Sequence, residues 1–237
     1  MTGRGGEESR LFPGTKDTAM NFDFEVIIKA IPYLRRGLFN TLLLTVLGIV
    51  LSSVFALICT PLRMSKNRLL RGCFSFYIDL FRNTPIVAQI FYLYFALPLI
   101  GIKLSAFACG LIALVLHYNA YNIEVLRSGM EAVPGGLHEA GMALGFTHLQ
   151  RLRLIVIPLA LRIGLPALVN NYVSLLKNTA LVSIIGVVEL TFVAQDIIAD
   201  KFTYLEMYST IAVVYLCLIF GLTWLLRKVE KQYTLVT

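Results

Sequence analysis

The chain has 237 residues, 57% of them hydrophobic and 15% charged, with a mean hydropathy of +0.75. Soluble domains carry about 25% charged residues, so the composition excludes an ordinary soluble domain and identifies an integral membrane protein. The formal charge of +7 then bears on topology before nucleic acid, because basic residues gather in cytoplasmic loops.

Residues 1–20 are rich in Gly, charge and Ser/Thr and read as a disordered extension. They hold no apolar core of the length a signal peptide needs, and Met20 is an alternative start. Residues 21–36 mix Phe22, Phe24, Val26, Ile27 and Ile28 with Asp23, Glu25, Lys29, Arg35 and Arg36. They read as an interfacial helix broken at Pro32. Residues 37–231 follow as the membrane domain, and 232–237 as a tail.

A helical span needs about 20 apolar residues. Residues 37–62 carry no charge and form span one; residues 83–102, entered from Cys73, form span two; residues 104–123 form span three. Residues 154–176 are apolar apart from Arg162, with Pro158 and Pro166 inside, and form a kinked span four. Residues 207–226 form span five. Between spans four and five, residues 178–206 open with TALVSIIGVVEL. That run is short for a crossing and reads either as a re-entrant or gate helix buried in protein or as a sixth span.

The loops orient the bundle. Arg63, Lys66, Arg68 and Arg71 lie between spans one and two, and Lys103 alone lies between two and three. Arg127, Arg151 and Arg153 lie between three and four, and Arg227, Lys228 and Lys231 follow span five. The loop between spans four and five is acidic, with Glu189, Asp196, Asp200 and Glu206 against Lys201. This alternation puts the loop at about 131–157 and the C-terminus inside, and the N-terminus outside.

Other chemistry is sparse. Cys59, Cys73, Cys109 and Cys217 lie in or beside apolar runs without a C-x-x-C and read as small hydrophobes. His117, His138 and His148 lack metal-ligand spacing, so no metal or other cofactor is expected. No Gly-Lys pair occurs, so a P-loop is absent and any ATP that drives the protein binds to another chain.

The most informative stretch is Glu139 to Pro158, EAGMALGFTHLQRLRLIVIP. It is polar between long apolar runs. Glu139-Ala140-Gly141 is followed by three residues, Gly145, nine residues and Ile155-Val156-Ile157-Pro158. Residues 139–144 are good helix formers, Gly145 suits a left-handed helix stop, and residues 148–156 can form a second helix. The Gly141-x-x-x-Gly145 spacing reads as close packing within this knob. The pattern resembles the EAA loop of ABC-importer permeases, with Gly141 in place of the second Ala and Ile157 in place of Leu.

Further segments match the same family. YIDLFRNTP, residues 77–85, resembles its Y-x-x-x-F-R-[GN]-T-P signature. SLLKNTALVSIIGVVEL, residues 174–190, resembles the K-D-T-S-L-x-S-x-I-G-V-x-E-L segment of its polar amino-acid branch. YNIEVLRSGMEAVPGGLHEA, residues 121–140, follows that branch's approach to the loop, with Leu137 where Gln is usual.

The resemblance implies an all-α, five-span type I ABC importer permease in a bacterial cytoplasmic (inner) membrane. It is not itself an enzyme. It implies a dimer of ATPase subunits docked on Glu139, Ala140, Gly141 and Gly145, a second permease chain, identical or homologous, and a periplasmic or lipoprotein solute-binding protein. The resemblance also places an amino-acid pocket near the bilayer midplane at Asn171, Lys177, Asn178 and Thr179, with Glu or Asp often at the two Asn positions. Asn171 and Asn178 share a helical face with Lys177 close to it. Lys177 can attract a substrate carboxylate, and the amides its other polar groups; equally, these residues can serve helix–helix hydrogen bonding. With Asn in place of a carboxylate, a neutral or acidic amino acid is expected over a basic one. Asn119, Asn122 and Glu124 are secondary candidates. Asp79 and Arg82 read as an i,i+3 ion pair, and Arg162 as a snorkelling side chain. Two other readings compete: an ion-coupled secondary transporter, which would want inverted repeats and midplane acids, and a non-transporting assembly subunit.

Overall fold

The computed structural model describes residues 22–234, and every secondary-structure element among them is helical. The 1–20 segment, read from sequence as disordered, lies outside the described residues. Helix α1 runs Phe24–Arg63 and is capped by Asp23, whose carboxylate accepts from Glu25 N at 2.8 Å. It passes through Pro32 without the expected break. The carbonyl that Pro32 leaves unpaired belongs to Ile28, an exposed residue at the outer rim of the bundle, where the loss of one helical bond is tolerable.

The buried side of α1 is a stripe at helical spacing: Ala30, Leu34, Gly37, Thr41, Leu44, Gly48, Ser52, Ala56 and Thr60. Small residues let neighbouring backbones approach closely in a membrane. The threonines return their hydroxyls to the preceding turn, as in Thr45 Oγ1 to Thr41 O at 2.7 Å and Thr60 Oγ1 to Ala56 O at 2.6 Å. Their polarity is therefore satisfied inside apolar surroundings.

Helix α2, Arg68–Asn83, buries only Ile78. The chain then bends by 107° into α3, Ile86–Phe91, which continues as a π turn and a 3-10 turn to Ile100. Span two is thus a bent pair, where the sequence suggested continuous entry from Cys73. The cause is Thr84-Pro85: a residue before proline is driven out of the helical region, and Thr84 sits at φ −107, ψ 141. Gln89 staples the bend, donating from Nε2 to Phe81 O at 2.9 Å and to Thr84 O at 3.2 Å.

Helix α4, Ala106–Glu131, is the central post, buried along most of its length between α1 and α7. Helices α5, Gly135–Ala143, and α6, His148–Arg151, form the loop that precedes α7, Ile157–Asn178. Pro158 is the second residue of α7, which directly follows a π turn, Leu152–Val156, within one continuous run of helix from His148. Backbone contact fixes the α4–α7 spacing: a Cβ on Gly129 would lie 2.6 Å from Ala160 O.

Residues 179–185 form a 3-10 turn that ends at Gly186 with φ +80, followed by α8, Leu190–Lys201, and α9, Tyr204–Thr234. Neither the turn nor α8 is long enough to cross a membrane alone, so the described residues form four long apolar helices and the bent pair, up to five spans. Residues 232–234, read as tail, continue α9. Asn40 Nδ2 donates to Val188 O at 2.6 Å and Leu190 N to Thr41 Oγ1 at 3.1 Å, tying this turn to α1. Glu189 caps α8: its fully buried carboxylate accepts from Phe192 N and from Tyr215 OH of α9, each at 2.8 Å.

Candidate functional site

The knob between α4 and α7 is a compact piece of backbone design. Helix α5 closes with Gly145 N on Met142 O at 2.9 Å and Phe146 N on Gly141 O at 3.0 Å. Those two bonds are a Schellman closure, and it requires a left-handed residue between them; Gly145 supplies it at φ +74. Two residues on, Thr147 and Gln150 form a reciprocal capping box, with Thr147 N to Gln150 Oε1 at 2.8 Å and Gln150 N to Thr147 Oγ1 at 3.3 Å. A capping box satisfies two helix-end donors and fixes where the next helix starts.

Gly141 is buried, and a Cβ there would meet Ile155 Cδ1 at 3.0 Å and Arg151 Cγ at 3.1 Å. The two limbs of the knob therefore touch at this glycine, as its spacing from Gly145 suggests. Glu139 and Ala140 point to the exterior. Around them Leu137, Met142, Leu144, Leu149 and Leu154 are exposed. An apolar cluster of this kind on a polar loop marks a contact surface. On its flank a cavity of about 460 Å³ is lined by Ala140, Gly141, Leu144, Phe146 and Ile155.

The polar residues of the spans form a second constellation, a hydrogen-bonded seam through the bundle. Tyr77 OH of α2 donates to Asn119 Oδ1 at 2.9 Å or to Leu116 O at 2.8 Å. Asn119 Nδ2 donates to Ser52 O at 3.2 Å, and Asn122 Nδ2 to Ser52 Oγ at 3.3 Å. Asn171 Nδ2 of α7 then donates to Asn122 Oδ1 at 3.0 Å. Higher on α7, Asn178 Nδ2 donates to Tyr118 OH at 2.7 Å. Buried amides persist only where such partners are present.

Of the four pocket residues suggested by sequence, Asn171 and Asn178 thus both turn toward α4. Lys177 is exposed on a neighbouring face and enters none of the ion pairs among the described residues. Thr179 is fully buried, its hydroxyl on Leu176 O at 2.7 Å. Asn171 also lines an open cavity of about 400 Å³ with Arg82, Tyr121, Glu124, Ser128 and Ala167. Glu124 is taken up there by Arg127 at 2.9 Å, with Arg63 at 3.9 Å. Arg82 lies 5.2 Å from the centroid of the Tyr121 ring and makes no ion pair with Asp79 among the described residues, contrary to the i,i+3 expectation. Sequence reasoning missed Ser52 and Tyr118. The signal for Ser52 was the small-residue stripe of α1; nothing distinguished Tyr118 from the other tyrosines.

Residues 48–234 match the family described as binding-protein-dependent transport system inner membrane component. The chain is 35% identical over 215 residues to the glutamine transport system permease protein GlnP of Escherichia coli (strain K12), covering 90% of this chain and 98% of that protein. It is 36% identical over 202 residues to the L-cystine transport system permease protein TcyB of Bacillus subtilis (strain 168), covering 85% and 86%. Among solved structures, the crystal structure of an amino acid ABC transporter with histidines superposes with a TM-score of 0.82 at 34% identity, covering 89% of this chain and 98% of the other.

Proposed function

The chain belongs to the family of binding-protein-dependent transport system inner membrane components, and on that premise we propose how it works as the permease subunit of an amino-acid importer. The knob at residues 131–157 docks on a separate ATPase dimer, which hydrolyses the ATP. Glu139 and Ala140 face that partner, while Gly141 and Gly145 hold the knob rigid. The observation that carries this reading is the knob's construction: a closure at Gly145, a capping box at Thr147 and a glycine contact between its limbs, under exposed leucines. A rigid lever with an apolar tip can transmit displacement; a loose connector cannot.

Two permease chains, identical or homologous, line the path, and a periplasmic or lipoprotein solute-binding protein delivers the amino acid to the outer side. The coupling knob and the C-terminus face the cytosol and the N-terminus faces outward, as the basic loops indicate. Asn171, Lys177 and Asn178 contact the substrate in transit, Lys177 offering charge to its carboxylate and the amides exchanging their present partners for substrate groups. Thr179 anchors the turn beneath them.

The substrate is neutral or acidic. A cationic side chain in a low-dielectric pocket needs a carboxylate, and the one carboxylate lining the Asn171 cavity, Glu124, is already committed to Arg127.

Two substitutions test the coupling. Gly145→Val puts a β-branched residue at φ +74, where such residues are outliers. Glu139→Lys reverses the exposed charge. Both are expected to abolish uptake and weaken co-purification with the ATPase while leaving membrane insertion intact. Normal uptake in both variants would overturn the reading.

A further inference from the structure

The last four turns of α9 carry a feature that transport does not require. Phe220, Thr223, Trp224, Arg227, Lys228 and Lys231 recur at intervals of three and four and share one face. They line a groove of about 410 Å³. Phe220 and Trp224 are two-thirds exposed, and Lys228 Nζ lies 5.5 Å from the centroid of the Trp224 ring. Arg227 and Lys231 also line a second groove of about 330 Å³, shared with Glu230 and with Pro166, Val169 and Asn170 of α7. They stand where the two grooves meet. None of the ion pairs among the described residues engages Arg227, Lys228 or Lys231.

The stripe changes character along its length. At about 1.5 Å per residue, the run from Phe220 to Lys231 spans about 16 Å, apolar at one end and cationic at the other. Tryptophan settles at the boundary between hydrocarbon and head groups, so the Trp224 ring marks that level. This end of α9 is also the knob's end of the bundle, since Val229 lines a cavity with Pro158 and Arg162.

We propose that this face of α9 binds one anionic glycerophospholipid. Its phosphate sits between Arg227 and Lys231. Its acyl chain runs along Phe220 and Trp224. Lys228, held over the indole, adds a third positive charge. The aromatic wall offers nothing to free phosphate, which would use the cations alone. A second copy of the chain meeting this stripe about a twofold axis would set cation against cation, which disfavours that occupant. The inference is independent of what the protein transports.

Native mass spectrometry of the purified chain, titrated with phosphatidylglycerol, phosphatidylcholine or inorganic phosphate, tests it. The wild type is expected to hold one phosphatidylglycerol about tenfold or more tighter than phosphatidylcholine, since basic side chains at the head-group level favour anionic lipid. Arg227→Gln with Lys231→Gln should erase that preference, and Arg227→Lys with Lys231→Arg should keep it. Trp224→Ala should weaken both lipids while leaving their ratio. Equal affinity of the wild type for the two lipids, preference surviving in the double Gln variant, or displacement of the lipid by phosphate at comparable concentration would each overturn the proposal.

Discussion

Two glycine-to-alanine substitutions, alike in sequence terms, are expected to move stability in opposite directions. Gly129 and Gly141 both lie inside helices, α4 and α5. Replacing a helical glycine by alanine gains up to about 1 kcal/mol of helix propensity. At Gly141 the new methyl meets the Cδ1 end of Ile155 at 3.0 Å and the mid-chain Cγ and Cδ of Arg151 at 3.1 Å, side-chain atoms that give by a few tenths of an ångström, so part of the gain survives. At Gly129 the methyl would sit 2.6 Å from Ala160 O. Carbon-to-oxygen contacts lie at about 3.3–3.6 Å, so α4 and α7 must part by roughly 0.7 Å or more. Overpacking of this kind costs about 1–3 kcal/mol, and the separation also strains the Asn171–Asn122 bond. Because the atom opposing Gly129 is backbone, the cost falls in the upper part of that range, about 2–3 kcal/mol, and the net expectation is a loss of about 1–2 kcal/mol for Gly129→Ala and a change between zero and a slight gain for Gly141→Ala. Thermal unfolding in detergent, followed by size-exclusion fluorescence, measures both; at about 2–4 °C per kcal/mol the difference is readable. If Gly129→Ala melts with the wild type, the close approach of these two helices is not what sets the bundle, and the reasoning fails.

Other expectations follow from the same geometry. Glu189→Ala removes the cap of α8 and leaves Tyr215 OH with Thr191 Oγ1, at 3.1 Å, as its remaining partner; a loss of about 1–2 kcal/mol is expected, while Glu189→Gln retains an acceptor and should lose less than half of that in the same melt. Tyr118→Phe frees the Asn178 amide; if Asn178 serves the substrate, the KM for uptake should change with little loss of stability, whereas a purely structural amide would move the melt and leave KM alone. Competition of labelled glutamine, glutamate and arginine for uptake should show arginine as the poorest substrate, and a saturable preference for arginine would refute the account of the Asn pair.

The long apolar helices were legible because hydropathy over twenty residues leaves few alternatives, and the bend of the knob was legible because Gly145 carries its geometry in its residue type, whereas the capping box of Thr147 and Gln150 emerged only in the structure. What escaped was tertiary in origin. Continuity through Pro32 depends on where α1 meets solvent, which a propensity argument does not see. The 107° bend is written locally in Thr84-Pro85, but no local pattern announces that Gln89 reaches back five and eight residues to hold it. Asn171 and Asn178 were found as polar residues on one face, but their partners, Asn122 and Tyr118, lie 49 and 60 residues away in sequence. The fully buried Glu189 looked like one of several loop acids until Tyr215 was seen against it.

The central claim is that the Gly145 knob carries the work of a separate nucleotide-driven subunit into a bundle with no engine of its own. Concentrative uptake into proteoliposomes, with permease, solute-binding protein, ATPase subunit and ATP each omitted in turn, tests it most directly. Accumulation is expected only in the complete mixture. Accumulation by the permease chain alone, driven by an imposed ion gradient, would contradict the claim.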